Sequence, residues 1–161
     1  MKRSLVFLFF LLTLSLEAGF IGWVKYTGKV PHRAKWVGLE ERFPDGSKKE
    51  VYICRAEYKD ILHPGRMRDG KCIISVDGKE ILFSEFELFF HGSEVSLKAF
   101  KGNTPKNAIT AGGSIGNLFF LCVLKHNGSW LPGKLYENEC KIGYGGTELS
   151  FKEKFYVLVK K

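Results

Sequence analysis

The feature that most constrains this chain is a repeat marked out by its four cysteines. Cys54 and Cys122 lie 68 residues apart, and so do Cys72 and Cys140. The same offset of 68 relates Pro64-Gly65-Arg66 to Pro132-Gly133-Lys134, Gly78 to Gly146, and Glu80 to Glu148. Upstream, Gly28, Pro31, Ala34 and Gly38 recur at an offset of 74 as Gly102, Pro105, Ala108 and Gly112. The change of offset, 74 minus 68, places six extra residues in the first copy between Gly38 and Cys54. The charged stretch 40–50 in that interval contains Pro44-Asp45-Gly46, a favourable turn sequence, so the insertion reads as a lengthened hairpin loop.

Within each copy the apolar segments are short and rich in β-branched and aromatic residues: 51–54, 72–76 and 81–88, then 118–124, 140–144 and 155–159. Turn residues separate them, and no stretch beyond the N-terminal region sustains helical periodicity, which predicts an all-β chain. Two units of about 70 residues are too few for an open solenoid, which needs three or more. The expected architecture is two tandem repeats, about 22–90 and 95–161, forming one compact pseudo-symmetric β-sandwich domain over 19–161. Pro64-Gly65 and Pro132-Gly133 read as turns carrying a cation.

The N-terminus predicts the compartment. Lys2 and Arg3 precede an uncharged apolar run, 4–16, followed by the small residues Ala18 and Gly19, the order of a secretory signal peptide. Cleavage is expected after Ala18. The run has 13 residues, short of the roughly 18 that a membrane span requires, so no transmembrane segment is expected. Loss of Lys2, Arg3 and Glu17 lowers the formal charge from +8 by one, to +7. That charge suits acidic glycans or anionic membranes. Lysines are dispersed through the chain, however, and nucleic acid is not an expected partner of a secreted protein.

An even number of cysteines in an oxidising compartment predicts disulfides. Three pairings are open to four cysteines. The equal separation of 18 residues within each copy favours Cys54 with Cys72 and Cys122 with Cys140, while bridges between the copies remain the alternative. Each intra-unit loop would stabilise the fold by about 3 kcal/mol in the chain-entropy account.

The repeated unit reads Gly-x-x-Pro-x-x-Ala, Tyr52-Ile53-Cys54-Arg55-Ala56, Pro-Gly-cation, Cys-x-Ile, Gly-x-Glu and Phe-x-Val-Leu. It resembles the DM-nine repeat family over nearly the whole chain after the leader, from Gly22-Trp23-Val24 to Val157-Leu158. Tyr144-Gly145-Gly146-x-Glu148 matches best, whereas the first copy has drifted to Val76-Asp77-Gly78-x-Glu80. Members stand alone, as in bivalve lectins, or are fused to a pore-forming module in natterin-like toxins. A chain ending at Lys161 suggests the stand-alone type, for which the resemblance implies an all-β fold of two tandem intertwined repeats forming a pseudo-two-fold β-sandwich. The resemblance implies a lectin for mannose-type glycans on cell or microbial surfaces, dimeric in some members, and acting in innate recognition or at a host-parasite surface.

In such lectins a sugar is held by an acidic residue shortly after the Ala-x-x-x-Gly segment and by the lysine of Pro-Gly-Lys. A carboxylate accepts hydrogen bonds from vicinal hydroxyls and a cation donates them. Carried over by position, the first unit supplies Glu40, with Glu41 as a rival, and Arg66. The second supplies Lys134, with Ser114 in the acidic position. The first site is therefore expected to be the better one. Glu80 and Glu148 are assigned to backbone contacts, and Trp130 to the core or rim. Asn127-Gly128-Ser129 is an N-glycosylation sequon that would crowd Lys134.

Other signals carry less. Gly128-Ser-Trp-Leu-Pro-Gly133-Lys134 is followed by Leu135 and a strand, not by the Ser or Thr and helix of a phosphate loop. Residues 112–117 read as a hairpin turn. His32, His63, His91 and His126 show no ligand spacing, so no metal or cofactor is implied. No nucleophile-base set or carboxylate pair is identifiable, and the chain is not expected to be an enzyme. A secreted structural or protein-interaction module that has lost sugar binding is the competing reading.

Overall fold

The computed structural model describes residues 21–34 and 39–161. The predicted leader and Gly38 lie outside the described residues. Apart from a 3-10 turn at His32–Ala34, the described chain is built from β-strands. The first copy contributes β1 (Gly22–Lys25), β2 (Glu40–Arg42), β3 (Lys48–Glu50), β4 (Tyr52–Tyr58), β5 (Ile61–Arg68), β6 (Lys71–Val76), β7 (Lys79–Phe83) and β8 (Glu87–Phe90). The second contributes β9 (Val95–Ala99), β10 (Thr110–Ser114), β11 (Asn117–His126), β12 (Ser129–Tyr136), β13 (Glu139–Tyr144), β14 (Thr147–Phe151) and β15 (Phe155–Lys160).

The duplication is visible in the pairing order β1-β8-β4-β5-β6-β7-β14-β13-β12-β11-β15-β9, which reads equivalently from either end. The centre of symmetry is the β7–β14 contact, where Lys79 pairs with Thr147, again 68 residues on. The Glu80 N–H donates to the Gly146 carbonyl at 3.2 Å and the Glu148 N–H to the Gly78 carbonyl at 3.0 Å. The copies are also intertwined. β2 pairs with β12 of the other copy at Glu40 and Trp130, and β10 pairs with β5 at Gly113 and Leu62. The result is the pseudo-two-fold β-sandwich that the resemblance implied.

Tight connections between antiparallel strands explain why turn residues recur so regularly. At Asp77-Gly78 both residues have positive φ, 50° and 78°, the geometry that two-residue hairpins require to match strand twist. The inserted segment forms the β2–β3 hairpin with Pro44-Asp45-Gly46 at its tip, closed by the Phe43 N–H donating to the Ser47 carbonyl and the Gly46 N–H donating to the Phe43 carbonyl. Residues 110–117 form the β10–β11 hairpin. The stretch 81–88 is not one strand: a bend at Ser84-Glu85 ends β7, and β8 then crosses to pair with β4 and β1.

Pro64-Gly65 and Pro132-Gly133 are not turns, and this corrects the reading of the two cation-bearing loops. Both dipeptides lie inside strands, β5 and β12. β5 pairs with β10 at Leu62 but with β6 from Gly65 onward, so Pro64, which has no N–H to donate, stands where the strand changes partner. β12 does the same, pairing with β2 at Trp130 and with β13 from Lys134. The glycines are required by close approach: a Cβ on Gly65 would lie 2.0 Å from the Ile73 carbonyl oxygen, and one on Gly133 2.4 Å from that of Lys141.

Both disulfides are intra-unit, Cys54–Cys72 and Cys122–Cys140, and the described residues contain no free cysteine. Each joins the strands on either side of a Pro-Gly strand. In a flat sheet such next-but-one strands would be about 9.5 Å apart. Here the Cα separations are 5.9 and 6.0 Å, so each meander curls around its Pro-Gly strand. The cysteines are buried at the centres of two apolar clusters, one with Met67, Ile74 and Leu88, the other with Leu121, Leu131, Leu135 and Ile142. The second also takes in Val51, Ile53 and Phe89 from the first copy, consistent with the intertwining.

Candidate functional site

The curling of β5 and β12 turns Arg66 and Lys134 inward, toward the junction of the two copies, where both are almost fully buried. Each reaches across the pseudo-two-fold to the same place in the other unit. Arg66 Nη1 donates to the Gly143 carbonyl, and Lys134 Nζ donates to the Ser75 carbonyl at 2.7 Å; Ser75 and Gly143 are themselves 68 apart. Each also faces the repeated glutamate of its own copy two strands away, Glu80 on β7 for Arg66 and Glu148 on β14 for Lys134.

Beyond that shared frame the two sites diverge. Arg66 is saturated by protein groups. Its Nε is 3.2 Å from Glu41 Oε2, its Nη2 is 3.3 Å from Glu41 Oε1 and 3.4 Å from Glu80 Oε1, and Arg68 adds a 2.6 Å contact to Glu41. Glu80 completes the network by accepting the Gly146 N–H at 2.7 Å. The structure does not bring Glu40 and Arg66 together. Successive strand residues point to opposite faces, so Glu41 faces inward while Glu40 lies at the surface with Arg42 and Lys48. The contacts to Arg42 and Lys48 hold the Glu40 carboxyl below its usual range.

The cross-strand register identifies Glu41's counterpart. Glu40 lies opposite Trp130 and Gly113 opposite Leu62, and Trp130 and Leu62 are equivalent, so Glu41 corresponds to Ser114. With serine in place of a buried carboxylate and Tyr136 in place of Arg68, the second site is open. A cavity of about 470 Å³ is lined by His63, Asp77, Ser114, Phe119, Lys134 and Glu148, with Asn117, Tyr136 and Lys141 among its other walls. The structure thus places Lys134 and Ser114 in one cavity, contributed by β5, β10, β11, β12, β13 and β14 together with the β6–β7 turn.

Lys134 Nζ lies 3.4 Å from His63 Nδ1, 3.7 Å from Glu148 Oε2 and 4.9 Å from the Phe119 ring centroid. Burial, reinforced by the positive charge of Lys134, lowers the His63 pKa to about 4, so the ring is neutral and its Nδ1 accepts from the ammonium. Burial also lowers the Lys134 pKa, opposed by the Glu148 carboxylate. Glu148 Oε2 is buried without a hydrogen-bond partner among the described residues. The two repeated glutamates thus differ: Glu80 bonds a backbone amide through its side chain, whereas Glu148 Oε2 makes no hydrogen bond and meets only the Lys134 cation, 3.7 Å away.

One further expectation changes. Asn127 sits in the β11–β12 turn, seven residues of extended strand from Lys134, or about 23 Å along the chain at ~3.3 Å per residue. The cavity lies toward the opposite end of that hairpin, with Asn117 and Tyr136, so a glycan on Asn127 would not crowd it. Trp130 packs half-buried against the larger core and does not line the cavity. Glu148 was visible in the sequence as a repeated position; His63, Asp77 and Phe119 carried no such mark, because they reach the site from different strands.

With this geometry in place, the family can be assigned. The DM9 repeat family model matches residues 45–160. The chain belongs to the DM9 repeat family. Among solved structures, the nematode sperm cell motility protein MFP2B superposes on this DM9 repeat protein with a TM-score of 0.65 at 18% identity. The match covers 88% of this chain and 46% of that one, so this chain spans about half the length of its structural neighbour. At that identity the likeness establishes the fold alone. No match is found among curated proteins. Among the described residues no group of three or more His, Cys, Asp or Glu could hold a metal ion, and no helix is long and apolar enough to cross a membrane.

Proposed function

We propose that this DM9 repeat protein is a secreted carbohydrate-binding protein of mannose type, and that its sugar site is the Lys134 cavity. The observation that carries the reading is the pair formed by the Lys134 ammonium and Glu148 Oε2, 3.7 Å apart. Lys134 has three N–H groups, one donated to the Ser75 carbonyl and one reaching His63 at 3.4 Å. A third donor and a carboxylate oxygen that makes no hydrogen bond, side by side, match a sugar's vicinal hydroxyls, each able to accept from one and donate to the other. Ser114, Asp77 and Asn117 add polar walls, and Phe119 an apolar one. Family membership supports the ligand class, and the disulfides and N-terminal leader motif support an extracellular destination.

Arg66 takes a structural role here, cross-linking the two copies, so each chain offers one sugar site and avidity comes from several copies acting together. Calorimetric titration of oxidised protein with methyl mannoside and mannan tests the reading. Lys134→Met and Glu148→Gln are each expected to weaken binding by about tenfold to a hundredfold, the loss of one charge-assisted hydrogen bond. Absence of glycan binding in folded, oxidised protein would reject the proposal and leave the protein-interaction module as the better description.

A further inference from the structure

The Lys134 cavity adjoins a second concavity, with which it shares two walls. Tyr136 and Asn117, hydrogen bonded to each other at 3.2 Å, line both the cavity and a more open depression of about 630 Å³. The remaining walls of that depression are Ile115, Gly116, Leu118, Phe120 and Glu137. Ile115, at the tip of the β10–β11 hairpin, is fully exposed, and Leu118 is 48% exposed.

The fold does not require these apolar side chains. The corresponding hairpin of the first copy has Pro44-Asp45-Gly46 at its tip, and the position 68 residues before Leu118 is Glu50. Isolated exposed aliphatics are ordinary on any surface. Here, however, an apolar lip adjoins a polar cavity, whereas in the equivalent hairpin, beside the sealed Arg66 site, the Phe43 ring is covered by the Lys49 and Arg68 cations and Glu50 stands where the second copy has Leu118.

We propose that this depression is an aglycone subsite. The ligand is then a glycoside whose sugar enters the Lys134–Glu148 cavity and whose apolar aglycone, such as an alkyl chain, lies along Ile115, Leu118 and Phe120. The inference rests on the sugar-binding reading of the cavity. An apolar aglycone fits better than a second sugar ring, because Ile115 and Leu118 are exposed aliphatic side chains, Phe120 is half-buried, and the remaining aromatic wall, Tyr136, already meets the Phe119 ring edge-on at 5.2 Å and the Lys141 ammonium at 5.9 Å. Glu137 is the only charged side chain among the walls.

The test is to titrate the protein with methyl mannoside, with octyl mannoside below its micellar concentration, and with a mannose disaccharide. Octyl mannoside is expected to bind about tenfold more tightly than methyl mannoside, the effect of removing about 50 Å² of apolar surface from water. Leu118→Glu, which installs the first copy's residue at an exposed site, is expected to abolish that gain while leaving methyl mannoside affinity and thermal stability unchanged. Lys134→Met is expected to weaken both glycosides. Equal affinity for the methyl and octyl glycosides overturns the subsite alone, as does an octyl gain that survives Leu118→Glu or a gain shown by the disaccharide and not by octyl mannoside. Failure of both the methyl and octyl glycosides to bind rejects the sugar site and the subsite with it.

Discussion

Arg66 and Lys134 occupy equivalent places in two copies of one unit, and the contrast between them shows how a duplicated scaffold separates stability from binding. Both cations follow a Pro-Gly step at a strand's change of partner, both reach a carbonyl of the opposite copy, and both face a repeated glutamate. In the first copy Glu41 and Arg68 complete a closed network. In the second their places are taken by Ser114 and Tyr136, and what remains is a cavity with a carboxylate oxygen that makes no hydrogen bond. The planar, multidentate guanidinium suits the saturated role, and the compact ammonium leaves room for a ligand.

Three measurements would break or sharpen that contrast. The largest effect is expected from Arg66→Ala, which leaves Glu41 and Glu80 buried beside an empty space. Breaking a buried pair of this kind costs about 3–5 kcal/mol, so chemical denaturation should show a loss of that order, with sugar affinity of the folded fraction retained. A small stability change together with lost sugar binding would reverse the assignment of the two sites.

A smaller effect is expected from acid. The His63 pKa of about 4 lies below the ordinary 6.5, so as pH falls the unfolded chain is protonated first. The stability that neutral His63 contributes is full above pH ~6.5 and is lost progressively toward pH 4. The loss between pH 7 and pH 5 should be about 1–2 kcal/mol, and His63→Leu, which installs the residue found at the equivalent Leu131, should flatten this part of the pH profile. An unchanged slope in the variant would show that the Lys134 cavity does not hold His63 neutral. The smallest effect is expected from Glu40→Ala, because its partners Arg42 and Lys48 are exposed. Solvent screens such a surface pair, so the denaturation midpoint should barely move, and sugar affinity should be unaltered. A marked loss of sugar binding on Glu40→Ala would instead place this surface carboxylate in the site.

Much of the architecture was legible in residue order. Equal spacing of Cys54–Cys72 and Cys122–Cys140 pointed to the intra-unit disulfides, and the change of offset located the β2–β3 hairpin around Pro44-Asp45-Gly46. The site was less legible. Counting from Gly38 favoured Glu40, but inward and outward faces alternate along a strand, and a slip of one residue moves the role to Glu41. Pro-Gly looked like a turn because the usual meaning of that pair is local, whereas here it serves a change of strand partner.

Periodicity and spacing along the chain suffice to show a duplicated all-β protein, where its copies differ, and which two cations are equivalent. That Arg66 is sealed and Lys134 open follows from the packed fold alone. That outcome depends on Glu41, Ser114, His63 and Glu148, which converge on the junction from strands far apart in the chain, and on the curled meanders that turn both cations inward. Charge and spacing name the candidates, but burial and partner count, which are properties of the packed fold, decide which of them is free to meet a ligand.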